Sequence, residues 1–200
     1  FEHYAEYGLS RSLDVIATFF ELGGMHAIFE VLDINLMSGE RKGYMHGAIN
    51  SAYRLISEQR SLYYRAHDID PYFVGIDTLL YLKEDHPAYH LAQALQAFQR
   101  NWQYHPVHRK LIMSIAAIPL FTFSQVHAGP VDAQNLQSLA QRLYNQYVIA
   151  AYGVYIPPPA FYLGQARNGG MKTASRLPLA LDITGKLKLY YTPYPSLYLT

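Results

Sequence analysis

HRKLIMSIAAIPLFTFSQVHA, residues 108–128, is the stretch whose reading decides the fold class. His108, Arg109 and Lys110 stand ahead of an apolar run from Leu111 to Ser124, and Val126-His127-Ala128 then fits a small-residue cleavage pattern. A charged start, an apolar middle and small residues at the end imitate an export signal, but the stretch lies mid-chain, where such a signal does not act. Its 14 apolar-run residues fall short of the about 20 that a membrane-spanning helix needs. The run is therefore expected to be a buried helix, kinked near Pro119.

Helical spacing continues upstream of it. From Leu13 to Leu36, Val15, Ile16, Phe19, Phe20, Leu22, Met25, Ile28, Phe29, Val31 and Leu32 recur at three- and four-residue steps, with Gly23-Gly24 as a kink or break. A second long helix is expected over 44–66, on a stripe of Met45, Ile49, Tyr53, Ile56 and Leu62. Asp70-Pro71 and Asp85-His86-Pro87 pair a capping carboxylate with a following proline, which predicts helices from Pro71 to Lys83 and from Pro87 to Gln103. Gly129-Pro130 breaks the chain, and another helix is expected from Asp132 to Tyr152.

The texture changes at Pro157-Pro158-Pro159, which cannot continue a helix. Residues 164–176 are rich in glycine, small and basic residues. From Leu177 onward, two runs around Gly185 read as a β-hairpin. The expected fold is thus mainly α: an irregular multi-helix bundle with a small C-terminal β-hairpin or extended arm. Its expected divisions are a helical domain over 1–156, a Pro/Gly-rich connector over 157–176 and a β-forming C-terminal arm over 177–200.

Composition constrains the function. Two hundred residues, half of them apolar or aromatic, can bury a sizeable core and do not describe a disordered chain. Charged residues make up 16%, below the roughly 25% usual in soluble domains, whereas tyrosine is abundant at 19 residues. Low charge with abundant tyrosine suits a surface covered by a partner. The charges are also segregated. Residues 1–85 carry 13 Asp/Glu and 7 Lys/Arg, and residues 86–200 carry 2 and 9, so two oppositely charged halves underlie a net charge of +1. Such asymmetry bears on association rather than on fold. The absence of cysteine removes disulfides, thiolate nucleophiles and cysteine-held zinc. The chain opens at Phe1, as expected of a trimmed or processed end.

Motifs for chemistry are sparse. There is no Gly-x-Ser-x-Gly elbow, and the glycines of 164–170 lack the Lys-Ser/Thr ending of a phosphate-binding loop. Histidine supplies the alternative. His86 and His90 are four apart near a helix start, which places both imidazoles on one face, and His67-Asp68 adds a carboxylate beside a third. His67, Asp68, His86 and His90 form the ligand set of an alternative function, a metal-dependent hydrolase in which a divalent cation would activate water. The doublet resembles the paired His and Asp of metal phosphohydrolases, over those two residues only. His105 and His108 follow one helix later.

The C-terminal arm carries the leading expectation: a non-catalytic interaction or assembly subunit, with no cofactor, that contacts a protein partner or another copy of itself. Lys186, Lys188, Tyr190, Tyr191, Tyr194 and Tyr198 are its expected contact residues. Basic groups interleaved with aromatics also allow binding to nucleic acid or another polyanion, a weaker alternative.

Overall fold

The computed structural model describes residues 2–32, 42–115, 141–142, 144–146, 148–150, 154–158, 160–165 and 188–192. The chain divides into two compact units, Phe1–Ala117 and Ile118–Thr200. The first unit overturns the mainly α expectation. It is an α/β unit built on a three-stranded parallel sheet.

Its elements run α1 (Glu2–Glu21), β1 (His26–Leu32), α2 (Lys42–Arg54), α3 (Glu58–Ala66), β2 (Ile69–Val74), α4 (Ile76–Leu80), α5 (Pro87–Asn101) and β3 (Arg109–Ile115). The strand order is β1-β3-β2, so the last strand lies between the first two. Both pairings are parallel, with His26 and Asp70 each in register with Lys110. The stretch expected to be a kinked buried helix thus begins as the central strand. Leu111, Ile112, Met113 and Ile115 are all buried, on both faces of the sheet. A strand covered on both faces reads as a continuous apolar run, without the alternation that would mark it as β. Pro119 lies outside the described residues.

Local chemistry corrects the other helix expectations. Gly23 adopts φ 89°, and the Gly23 and Gly24 amides donate to Phe20 O and Phe19 O at 3.1 and 3.0 Å. These two bonds end α1 in a Schellman motif, which only a residue at ease in the left-handed region closes without strain. The glycine pair is therefore a terminus, and the apolar residues after it form β1. The single helix expected over 44–66 is two. The amides of Leu55, Ile56 and Ser57 bond back three residues, and Ser57 then caps α3 by accepting from the Arg60 amide at 3.2 Å.

Asp70-Pro71 does not start a helix. Both residues lie within β2, where proline forgoes one outward donor. The helix at Pro87 forms as expected, but His86 caps it: its Nδ1 accepts from the Ala88 amide at 3.1 Å, and Pro87 takes the first turn. A core of Leu13, Phe20, Ile49, Leu55, Tyr64, Leu91 and Leu95 joins the helices to the sheet.

In the second unit, residues 141–142, 144–146 and 148–150 are helical, with Tyr144 and Val148 buried. The Tyr144 hydroxyl donates to Pro157 O at 3.1 Å. Strands β4 (Phe161–Gln165) and β5 (Lys188–Thr192) pair in parallel, with Phe161 opposite Lys188 and Gln165 opposite Thr192. Parallel neighbours cannot be the two arms of a tight hairpin, so the β4–β5 pair is not the expected hairpin around Gly185. Residues 177–187 lie outside the described residues. No helix among the described residues is long and apolar enough to cross a membrane.

Candidate functional site

Among the described residues of the first unit, a polar cluster forms where the strands begin. Parallel register sets His26, Lys110 and Asp70 in one row across the sheet, and in-register side chains of parallel strands share a face. Asp70 is only 1% exposed. Its Oδ1 accepts from Trp102 Nε1 at 3.0 Å and from His108 Nδ1 at 3.3 Å, while its Oδ2 accepts from the His105 amide at 2.7 Å. Three residues of the α5–β3 loop thus converge on one carboxylate of β2. A buried carboxylate is tolerated when its lone pairs are met in this way.

The turn between α3 and β2 supports the same cluster. His67 caps α3, and its Nδ1 is 3.0 Å from Tyr63 O while its ring stacks on Tyr63. Asp68 follows with φ 51°, the left-handed region that Asp tolerates better than most residues. Its carbonyl accepts from the Arg109 amide at 2.9 Å, which begins the β2–β3 ladder. Arg109 also donates from Nη1 to His67 O at 2.8 Å, and Lys110 Nζ donates to Pro106 O at 3.2 Å and to His108 O at 3.4 Å. Arg109 is therefore engaged with a carbonyl of the α3–β2 turn, and Lys110 with carbonyls of its own loop.

Nδ1 of His108 faces Asp70, so Nδ1 carries the proton and Nε2 faces outward, 3.7 Å from Asp68 Oδ1. An imidazole oriented by a buried carboxylate is the arrangement of a general base. Here Nε2 faces a second carboxylate, 75% exposed, rather than a nucleophile. His105 stacks on the His108 ring at 4.6 Å. On the same side Tyr104 stacks near Tyr72 and donates its hydroxyl to Pro71 O at 3.1 Å. Burial raises the pKa of both phenols, for Tyr72 with Asp70 adding to it and for Tyr104 with Tyr72 and then Asp70, so both remain donors.

The expected metal ligands occupy two places. His67 and Asp68 lie at the end of α3, whereas His86 caps α5 and His90 lies one turn on, exposed. Nδ1 of His67 and Nδ1 of His86 are both committed to main-chain groups. Among the described residues, no group of three or more His, Asp or Glu side chains is placed to hold a metal ion. Of the expected contact residues, Lys188, Tyr190 and Tyr191 lie on β5 opposite Phe161, Leu163 and Gly164. Lys186, Tyr194 and Tyr198 lie outside the described residues. The central residue of the cluster, Asp70, was expected only as a helix cap, and its partners Trp102, His105 and His108 are 32 to 38 positions away. No local spacing announces such a set. No protein-family model matches the chain, and no curated protein resembles it in sequence.

Trp102 is the single tryptophan and is 9% exposed, so its fluorescence reports on this cluster. Asp70→Asn places an amide donor among three donors. We expect it to cost about 3 kcal/mol in chemical denaturation and to shift the native Trp102 emission to the red. Unchanged stability and emission would contradict the role given to Asp70.

His26 gives a pH dependence of known sign. Burial first, and Lys110 second, lower its pKa below 6.5. The unfolded chain then takes up the proton before the folded one does. The contribution of neutral His26 to stability is whole above pH 6.5 and is lost as pH falls from there through the folded value. His26→Gln should flatten the stability profile in that window. A variant profile parallel to that of the parent would count against it.

Proposed function

We propose that the protein is a non-catalytic interaction or assembly subunit whose C-terminal arm contacts a partner chain. The observation that carries this reading is the parallel pair β4–β5, which forms a two-stranded sheet with neither outer edge paired to another strand among the described residues. Two strands are too few to be stable alone in water, and parallel pairs are weaker per residue than antiparallel ones. An added strand would meet the outward main-chain groups, with tyrosines of the arm supplying apolar contact and hydroxyls at the rim.

The polar cluster of the first unit supports the same reading. The donors around Asp70 hold a loop in place, and Arg109 and Lys110 are turned to loop carbonyls. Those two cations offer less to an external phosphate than freely exposed ones would. The contact assigned to the arm is main-chain pairing along β4–β5, reinforced by Lys186, Lys188, Tyr190, Tyr191, Tyr194 and Tyr198.

Deletion of residues 177–200 should lower the assembly mass measured by light scattering. Serine at Tyr190, Tyr191, Tyr194 and Tyr198 together, in the full-length chain, should weaken the same assembly at least about tenfold, since truncating an aromatic side chain in the core of an interface costs on the order of 1 kcal/mol or more. Truncated and substituted chains that assemble as the parent does would remove the arm from this role.

A further inference from the structure

Each strand of the first unit's sheet is entered from the carboxyl end of a helix: α1 leads to β1, α3 to β2 and α5 to β3. Because the strands are parallel, these three connections gather at one end of the sheet. The Lys110 amide donates to Met25 O at 2.8 Å, which sets the α1–β1 turn beside the α5–β3 loop. Arg109 donates to His67 O and so brings in the α3–β2 turn. Two kinds of side chain meet there. Leu22 is 84% exposed, Val107 71% and Met25 45%, and a Cβ on Gly23 would meet nothing within 4 Å. His26, His67, His105 and His108, four of the chain's nine histidines, lie in or beside the same three connections.

We infer that this end of the sheet docks on an anionic lipid surface at mildly acidic pH, with Leu22, Met25 and Val107 entering the headgroup region and the imidazoles supplying charge. The apolar residues stand on two turns, and a bilayer interface takes up such projections without a matching cavity. Three side chains alone give weak, reversible binding, so charge is the second signal. The fixed charges here are near balance: Glu21, Asp68 and Asp70 against Arg65, Arg100, Arg109 and Lys110. Arg109 and Lys110 are bonded to carbonyls, Arg65 lies over the Trp102 ring and Arg100 donates to Gln96. The carboxyl ends of three helices add a negative field. The surface therefore attracts anions only once imidazoles, which titrate between about pH 8 and 5, take up protons. His67 and His105 are exposed, the first stacked on Tyr63 and the second on His108. His108 lies between Asp70 and Asp68. His26 stands in a row with Lys110 and Asp70, and burial, then Lys110, delays its charging. His67 and His105 thus carry most of the response.

Flotation of the full-length chain with vesicles tests this, using phosphatidylcholine alone or mixed with phosphatidylglycerol, at about pH 7.5 and about pH 5.5. Binding should require the anionic lipid and be at least about tenfold stronger at the lower pH. Leu22→Ser with Val107→Ser, both at exposed positions, should weaken it at least about tenfold while circular dichroism retains the fold. His67→Gln with His105→Gln should remove most of the pH dependence. The serine pair leaves residues 177–200 untouched, so binding through the arm would survive it. A parent chain that binds neither vesicle at the lower pH overturns the inference, as does binding that the serine pair leaves intact or that is equal at the two pH values. Binding to soluble polyglutamate without binding to vesicles would assign the surface to an acidic protein chain and overturn it as well.

Discussion

Burying a carboxylate costs several kcal/mol unless hydrogen bonds and charge compensate it, and Asp70 is compensated by an indole N–H, a main-chain amide and an imidazole from one loop. That exchange anchors residues 102–108 over the start of the sheet. With the loop fixed, Tyr104 is held where its hydroxyl reaches Pro71 O. Arg109 and Lys110 then enter the central strand with their side chains bonded to the turns beside them. The cluster thus ties α3, β2, the α5–β3 loop and β3 together at the end of the sheet where the strands begin. Ligand sites of open α/β sheets lie at the opposite, carboxyl ends of the strands. Its position and its internally engaged donors both mark it as a brace.

The brace has a consequence for the sheet's edges. A three-stranded sheet leaves two rows of outward main-chain groups, and an edge left open invites pairing with another chain. On β2, proline, the Tyr104 hydroxyl and the Gln99 side chain close the row. Two of these devices come from α5 and the loop that Asp70 anchors. No comparable device covers His26 and Ile28 among the described residues. In the second unit, β4–β5 presents the same problem on a smaller scale, with two strands and two outer edges among the described residues.

Much of the first unit's local structure is legible in the sequence, and its fold class is not. Pro87 after His86 marks the start of α5, and Gly23-Gly24 marks an interruption, because both act through backbone chemistry within a few residues. Leu111 to Ile115 misleads because a strand buried on both faces carries no two-residue alternation, and β1 misleads because its apolar residues extend the spacing of α1. Asp70-Pro71 has the chemistry of a helix start and also that of a protected edge strand, and only tertiary context decides between them. The candidate site is less legible still. His108 is visible as a histidine before an apolar run, but its link to Asp70 spans 38 residues and follows from the parallel crossover.

Hydrogen exchange resolved by residue tests the central claim, that the β2 edge of this sheet is closed by side chains from α5 and from the loop that Asp70 anchors. The Phe73 amide should be protected at every protein concentration. The same amide should lose that protection in Asp70→Asn, which releases the loop carrying Tyr104. Rapid exchange at Phe73 in the parent chain would contradict the claim.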